Sequence, residues 1–174
     1  MKPRFWIPTL AALLAPAVSA PAAIITNVVS DPNDDAYGLV VDGDNWTDGK
    51  VVCGYVSDYA APYVIGAFRF AGVPLTNKTV ISHAYLRVQA YLPGTGTSAF
   101  SLRGEAYDAT DAFNAGAFLG ARTLTTAAVS WNVASAWAED GVYTSPDIKT
   151  IVQEIVDRPG WASGNPIAIQ MRNT

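Results

Sequence analysis

The chain predicts an all-β fold: a jelly-roll β-sandwich of two antiparallel sheets with one short amphipathic α-helix over about 146–157. Three observations carry this. About eight short runs of strand composition are separated by turns rich in Gly, Pro and Asp. No regular alternation of strands with helices is present, so a parallel sheet is not expected. Only one stretch has a convincing helical period: Ile148, Ile151, Val152, Ile155 and Val156 fall at i, i+3, i+4, i+7 and i+8 and form a single apolar stripe.

Residues 1–20 stand apart from the fold. Lys2 and Arg4 give a basic start, Phe5 to Val18 is mostly apolar, and Ala17-Val18-Ser19-Ala20 closes with small residues. This is the pattern of a cleaved secretory signal peptide, and it implies an exported, extracellular protein. Pro8 and Pro16 interrupt the run, which is shorter than the roughly 20 residues a membrane span needs. Removing twenty residues from 174 leaves 154, and losing Lys2 and Arg4 takes the formal charge from −4 to −6. Residues 21–174 then form one β-sandwich domain with a sizeable core. An acidic surface argues against nucleic acid as a partner. Cys53 is the only cysteine, so no intrachain disulfide exists; it sits in the strand-like Lys50–Val56 as a small buried hydrophobe.

In chain order, Ile24–Val29 is apolar and β-branched and reads as a first strand, and Ala36–Val41 as a second. Tyr63–Phe70 follows the strand around Cys53, with Val64, Gly66, Phe68 and Phe70 set to face the core. His83–Leu92 has the cleanest alternation: Leu86, Val88, Ala90 and Leu92 point inward, and Tyr85, Arg87, Gln89 and Tyr91 outward. Ala99–Tyr107 alternates again, placing Glu105 and Tyr107 on the non-core face. Asp108–Arg122 is a loop with a short helical turn around Ala112-Phe113. Thr123–Trp131 and Ile167–Met171 complete the strands. Ser145 is placed as the helix N-cap, Pro146 at its first position, and Pro159-Gly160 as its stop.

Phe68-Arg69-Phe70 with Thr79–Leu86, Arg122-Thr123 through Val129-Ser130-Trp131 with Trp137, and Thr144–Asp147 running into Ile151–Asn165 together resemble one kind of module. It is the jelly-roll type found in exported, mostly bacterial proteins, akin to the disaggregatase-related (DNRLRE-type) carbohydrate-binding domains. The resemblance covers roughly residues 34–171. It implies the sandwich fold and an extracellular accessory role such as adhesion, and it carries no catalytic residues. Two departures stand out: Asp34-Asp35 is followed by Ala36-Tyr37 rather than a further carboxylate, and a last strand after Met171 is not seen, which predicts either a truncated chain or compensation by the first strand at Ile24–Val29.

The residues themselves argue against catalysis. His83 is the only histidine, no nucleophile-elbow motif is present, and one His with one Cys makes a poor zinc site. Glu105, Glu139 and Glu154 are the only glutamates; Glu154 is expected to be solvated on the helix, and Glu105 either lines a polar face or pairs across strands with Arg87. Two candidate binding sites are weighed instead. Tyr85, Tyr91 and Tyr107 with Arg87 and Glu105 are candidate glycan contacts, the alternative being cross-strand packing. Asp34, Asp35, Asp42, Asp44 and Asp48 are candidate Ca2+ ligands, because hard cations take oxygens from such loops; the alternative is turn-forming aspartates. The expected function is therefore non-catalytic binding of a polysaccharide or cell-surface glycan. The alternative is a structural or assembly module meeting another surface protein.

Overall fold

Strand formation follows the expected runs closely at Tyr63–Phe70, Ser98–Glu105 and Leu124–Val133. A computed structural model describes residues 23–39, 45–47, 49–55, 63–94, 96–114 and 118–174; the expected signal peptide over 1–20 lies outside them. Among the described residues there are nine strands: β1 (Asp35–Leu39), β2 (Asn45–Trp46), β3 (Gly54–Tyr55), β4 (Tyr63–Phe70), β5 (Arg87–Gln89), β6 (Ser98–Glu105), β7 (Leu124–Val133), β8 (Val142–Thr144) and β9 (Ile167–Asn173). One helix, α1 (Lys149–Val156), lies between β8 and β9. Seven strands form one antiparallel sheet in the order β2-β1-β4-β9-β6-β7, with β3 also paired to β4. β5 and β8 form a separate antiparallel ribbon. The expected mostly-β class with two antiparallel sheets and one helix is thus observed, with layers of very unequal size.

The large sheet is covered on both faces. On the front, Phe100, Leu102, Trp131, Ile169 and Met171 meet Ile148, Ile151, Ile155 and Val156 of the helical segment and Leu86 of the ribbon. Each fully buried isoleucine contributes about 1.5–3 kcal/mol. The fit is close: a Cβ at Gly104 would stand 2.6 Å from Ile155 Cδ1 and 2.8 Å from Ile151 Cγ2. On the back, Ala36, Ile65, Ala67 and Ala168 are covered by Phe113 and Leu119 from the loop between β6 and β7. β4 is therefore buried on both sides. Val64 and Ile65 are both almost fully enclosed, although strand parity puts them on opposite faces.

The helix is shorter than its sequence signals. Ser145 does not cap it, because its hydroxyl accepts from the Leu86 N–H at 3.0 Å and donates to the Pro146 carbonyl at 2.7 Å. Ile148 takes the N-cap position without a side-chain bond, and the Asp147 carboxylate accepts the Lys149 N–H at 3.0 Å. At the other end, Asn77 Nδ2 donates to the carbonyls of Val156 (2.9 Å) and Arg158 (2.7 Å), satisfying groups a helix terminus leaves open.

Four further expectations change. Ile24–Val29 is not a strand: Ile24 is 94% exposed, and the segment is tied down by Asn27, whose amide donates to the Ala71 carbonyl at 2.8 Å. His83–Leu92 reduces to three residues of regular strand, and Leu92 is exposed. The short helical turn of the long loop is a 3-10 turn at Leu119–Ala121, not around Ala112-Phe113. Glu154 is not simply solvated. The β6–β7 register shifts between Arg103 and Glu105, and the N–H groups of Thr126 and Ala127 in the opposing stretch of β7 both donate to the Glu154 carboxylate at 2.7 Å.

Candidate functional site

The outer face of the β5–β8 ribbon presents one continuous stripe. From His83 to Tyr91 exposure alternates without a break: His83, Tyr85, Arg87, Gln89 and Tyr91 face solvent, while Ala84, Leu86, Val88 and Ala90 turn toward the core. Only Arg87–Gln89 is regular strand, paired Arg87↔Thr144, Val88↔Tyr143 and Gln89↔Val142. The extended course continues at both ends because other bonds replace the ladder. Ser145 N–H donates to the Leu86 carbonyl and Ile148 N–H to the Ala84 carbonyl, at 2.9 and 2.8 Å. Ala90 N–H donates to the Gly141 carbonyl at 2.9 Å. At strand spacing, Tyr85 and Tyr91 lie about 20 Å apart along the stripe.

Neighbours fix the side chains. The rings of His83 and Tyr85 are stacked at 6.2 Å with 13° between their planes. His83 Nδ1 lies 2.8 Å from Asp147 Oδ2. The Ala84 N–H beside it, first, and then His83 hold the Asp147 carboxyl down at about 2. Gln89 Nε2 donates to Asp140 Oδ1 at 3.2 Å, and Lys50 Nζ stands 4.3 Å over the Tyr91 ring. Beneath the ribbon, Trp137 stacks on Tyr143 at 4.3 Å and meets Trp131 at 5.4 Å, giving the strip a rigid aromatic floor. The result is a shallow, exposed surface of aromatic rings alternating with planar polar groups.

The structure brings together Tyr85, Arg87 and Tyr91 but separates the other two expected glycan contacts from them. Glu105 is buried on the back of the large sheet, not on an exposed polar face. Its Oε2 accepts from Thr110 Oγ1 and from Arg122 Nη1 (2.9 Å), and its Oε1 accepts from Gln170 Nε2 at 2.9 Å. Arg87 is on the ribbon and is not its partner. Tyr107 is half-exposed beyond the end of β6, with its hydroxyl accepting the Thr123 N–H at 3.0 Å. His83, Gln89 and Lys50 were not expected in the site. The strand parity already placed His83 and Gln89 on the right face, whereas Lys50 arrives by a long-range contact with no local sign.

Of the expected calcium ligands, Asp42, Asp44 and Asp48 lie outside the described residues. Asp34 is buried and bound to Arg69 Nη1 at 2.5 Å, so its carboxylate already serves a guanidinium. Asp35 starts β1, opposite Phe68. Among the described residues no group of three or more His, Cys, Asp or Glu side chains is gathered for a metal ion. Burial pushes the Cys53 thiol up to about 12, so at neutral pH it is no thiolate nucleophile. No helix among the described residues is long and apolar enough to cross a membrane. Comparison with known proteins finds no matching family model, no matching curated protein and no matching solved structure.

Proposed function

We propose that the protein is an exported, non-catalytic binding module of jelly-roll type, and that the outer face of its β5–β8 ribbon holds a polysaccharide or cell-surface glycan. The observation that carries this reading is the stripe Tyr85-Arg87-Gln89-Tyr91, solvent-facing along its length. Aromatic rings accept the apolar C–H faces of sugar rings, and the guanidinium and amide between them suit hydroxyl groups. The surface is open rather than a deep cleft, which fits a chain-like ligand held without transformation. Calcium is a further proposed ligand of the aspartate-rich segment through Asp42, Asp44 and Asp48.

The test is a glycan array read with and without calcium, for the wild type and for Tyr85→Ala and Tyr91→Ala. Binding of a defined glycan should fall about tenfold in each variant, in line with loss of one stacking contact. Unchanged binding in the double variant would remove the ribbon as the site.

One observation supports a second reading, assembly with a second copy. Over 128–133 no described residue hydrogen-bonds the outer edge of β7, and the chain from Thr123 to Ala138 has no charged residue. An uncharged strand edge lacks the usual guards against pairing, and another copy of an acidic chain meets no like charge there. Mass measured in solution over a concentration series decides it: a constant monomer excludes β7-to-β7 pairing.

A further inference from the structure

The back of the large sheet carries a second feature that the ribbon does not use. Register fixes it. Gln170 of β9, Arg103 of β6 and Ala128 of β7 form one row across three strands; Arg172, Ser101 and Ser130 form the next. All point away from the front core, because Leu102, Met171 and Val129, their chain neighbours, belong to it. Arg103 and Arg172 are therefore diagonal neighbours on one face, both half-buried, with two serines beside them.

These two guanidiniums lack the carboxylate partner that Arg69, Arg122 and Arg158, also wholly or partly buried, each have. Arg69 sits on Asp34, Arg122 on Glu105 and Arg158 on Asp108. Neither Arg103 nor Arg172 forms a salt bridge with any described residue. Glu105, the nearest carboxylate in the network, already accepts from Arg122, Thr110 and Gln170. The bonds the pair does make are to neutral acceptors. Arg103 Nη2 donates to the Thr125 carbonyl. Arg172 donates through Nε (3.0 Å) and Nη2 (2.7 Å) to Gln170 Oε1, and through Nη2 to the Leu119 carbonyl at 3.2 Å. Gln170 is itself held by Glu105 and Leu119, so Arg172 is fixed in place. No described residue accepts from Nη1 of either guanidinium, and the buried Nε of Arg103 has no acceptor. Burial first, and the charge of Arg103 second, push Arg172 below its usual range, while Glu105 opposes them. Two like charges taken partly out of water, held rigid, with donors left over, form a receptor for a negative group.

We propose that Arg103 and Arg172, with the hydroxyls of Ser101 and Ser130, bind an oxyanion group, a carboxylate or a sulfate. The group is either a free anion or one carried on an acidic polymer. The site is on the opposite face of the sheet from the tyrosine stripe and stands or falls independently of it.

The experiment is thermal unfolding and calorimetric titration of the full chain with low-millimolar sodium sulfate, at ionic strength held constant with chloride. The wild type should show a saturable rise in Tm. Arg172→Gln should weaken the apparent affinity about tenfold or more, as expected for loss of a charge-assisted partner. Ser101→Asp supplies the missing carboxylate directly opposite Arg172 and does not depend on a guanidinium being removable. It should raise Tm without sulfate and abolish the sulfate increment. Lys149→Gln, exposed at the start of α1, should leave the response unchanged. A non-saturating rise shared by all variants would be general exclusion of sulfate from the surface and would overturn the site. So would a Ser101→Asp protein that is less stable yet still responds. Dextran sulfate and polygalacturonate against neutral dextran then separate the sources: tighter binding than inorganic sulfate assigns a polymer, and equal binding a free anion.

Discussion

The two faces of the large sheet are buried by opposite chemistry. On the front, the helix and the ribbon lay isoleucine, leucine and tryptophan onto Phe100, Leu102, Ile169 and Met171. On the back, one loop covers β1, β4 and β9 with Phe113 and Leu119, and beside them lies an enclosed polar network of Glu105, Arg122, Thr110 and Gln170. The apolar face needs only shape, and it tolerates any partner of the right volume. The polar face needs every donor and acceptor matched, because a buried group without its partner is costly. It follows that the front should fail gradually and the back abruptly.

The sharpest way to break that contrast is at Glu105. Its side chain is fully enclosed and that of Arg122 nearly so, at 0% and 4% exposure. Glu105→Ala leaves a buried guanidinium without its carboxylate, and should cost about 3–5 kcal/mol in urea unfolding. Replacing both partners, Glu105→Leu with Arg122→Met, should recover much of that loss, because buried ion pairs often exchange for apolar pairs at little net cost. If the double variant is no better than the single one, the network owes its stability to Thr110 and Gln170 rather than to the ion pair.

On the front, Ile155→Ala should cost about 3 kcal/mol, within the range for truncating a buried isoleucine, and Ile155→Val only about 1. Equilibrium unfolding of both variants measures this. The graded pair is the counterpart of the abrupt response at Glu105. A cost for Ile155→Val as large as that for Ile155→Ala would mean that the front face also depends on detailed fit, as the close approach of Gly104 to Ile151 and Ile155 already hints.

The same contrast explains what the sequence made legible. The helical stripe and the alternation of Leu86, Val88 and Ala90 against Tyr85, Arg87 and Tyr91 are local periodicities, and both are observed. Parity states which face of a strand a residue is on. It does not state whether that face is covered. Glu105 falls on the non-core face of β6 by alternation, which predicts a polar face or a cross-strand pair with Arg87; the loop that buries it comes from residues up to 17 positions away. Ser145 was legible as a cap by type, but the Leu86 N–H, 59 residues earlier, took its hydroxyl. Ile24–Val29 has strand composition but pairs with no strand among the described residues, and β propensity without a ladder leaves it irregular and largely exposed.

The smallest effect lies within the front layer, at Asp147, which links the helical segment to the stripe. Its carboxylate accepts from the N–H groups of Ala84 and Lys149, each at 3.0 Å, and lies 2.8 Å from His83 Nδ1. Together these, Ala84 foremost, lower its pKa from 3.8 to about 2. A folded-state value below the unfolded one stabilises the fold at pH above the unfolded value. This contribution is therefore complete above pH 3.8 and is lost as pH falls from there through about 2. The Ala84 amide shift, followed by NMR across that window, should titrate with a midpoint near 2. Because the Ala84 amide outweighs His83 among the causes, His83→Ala should move the midpoint up only part of the way. Asp147→Asn should remove the transition altogether and loosen the turn that aligns His83 with Tyr85. A midpoint in His83→Ala that returns to 3.8 would instead make the imidazole, not the backbone, the group that holds this end of the stripe.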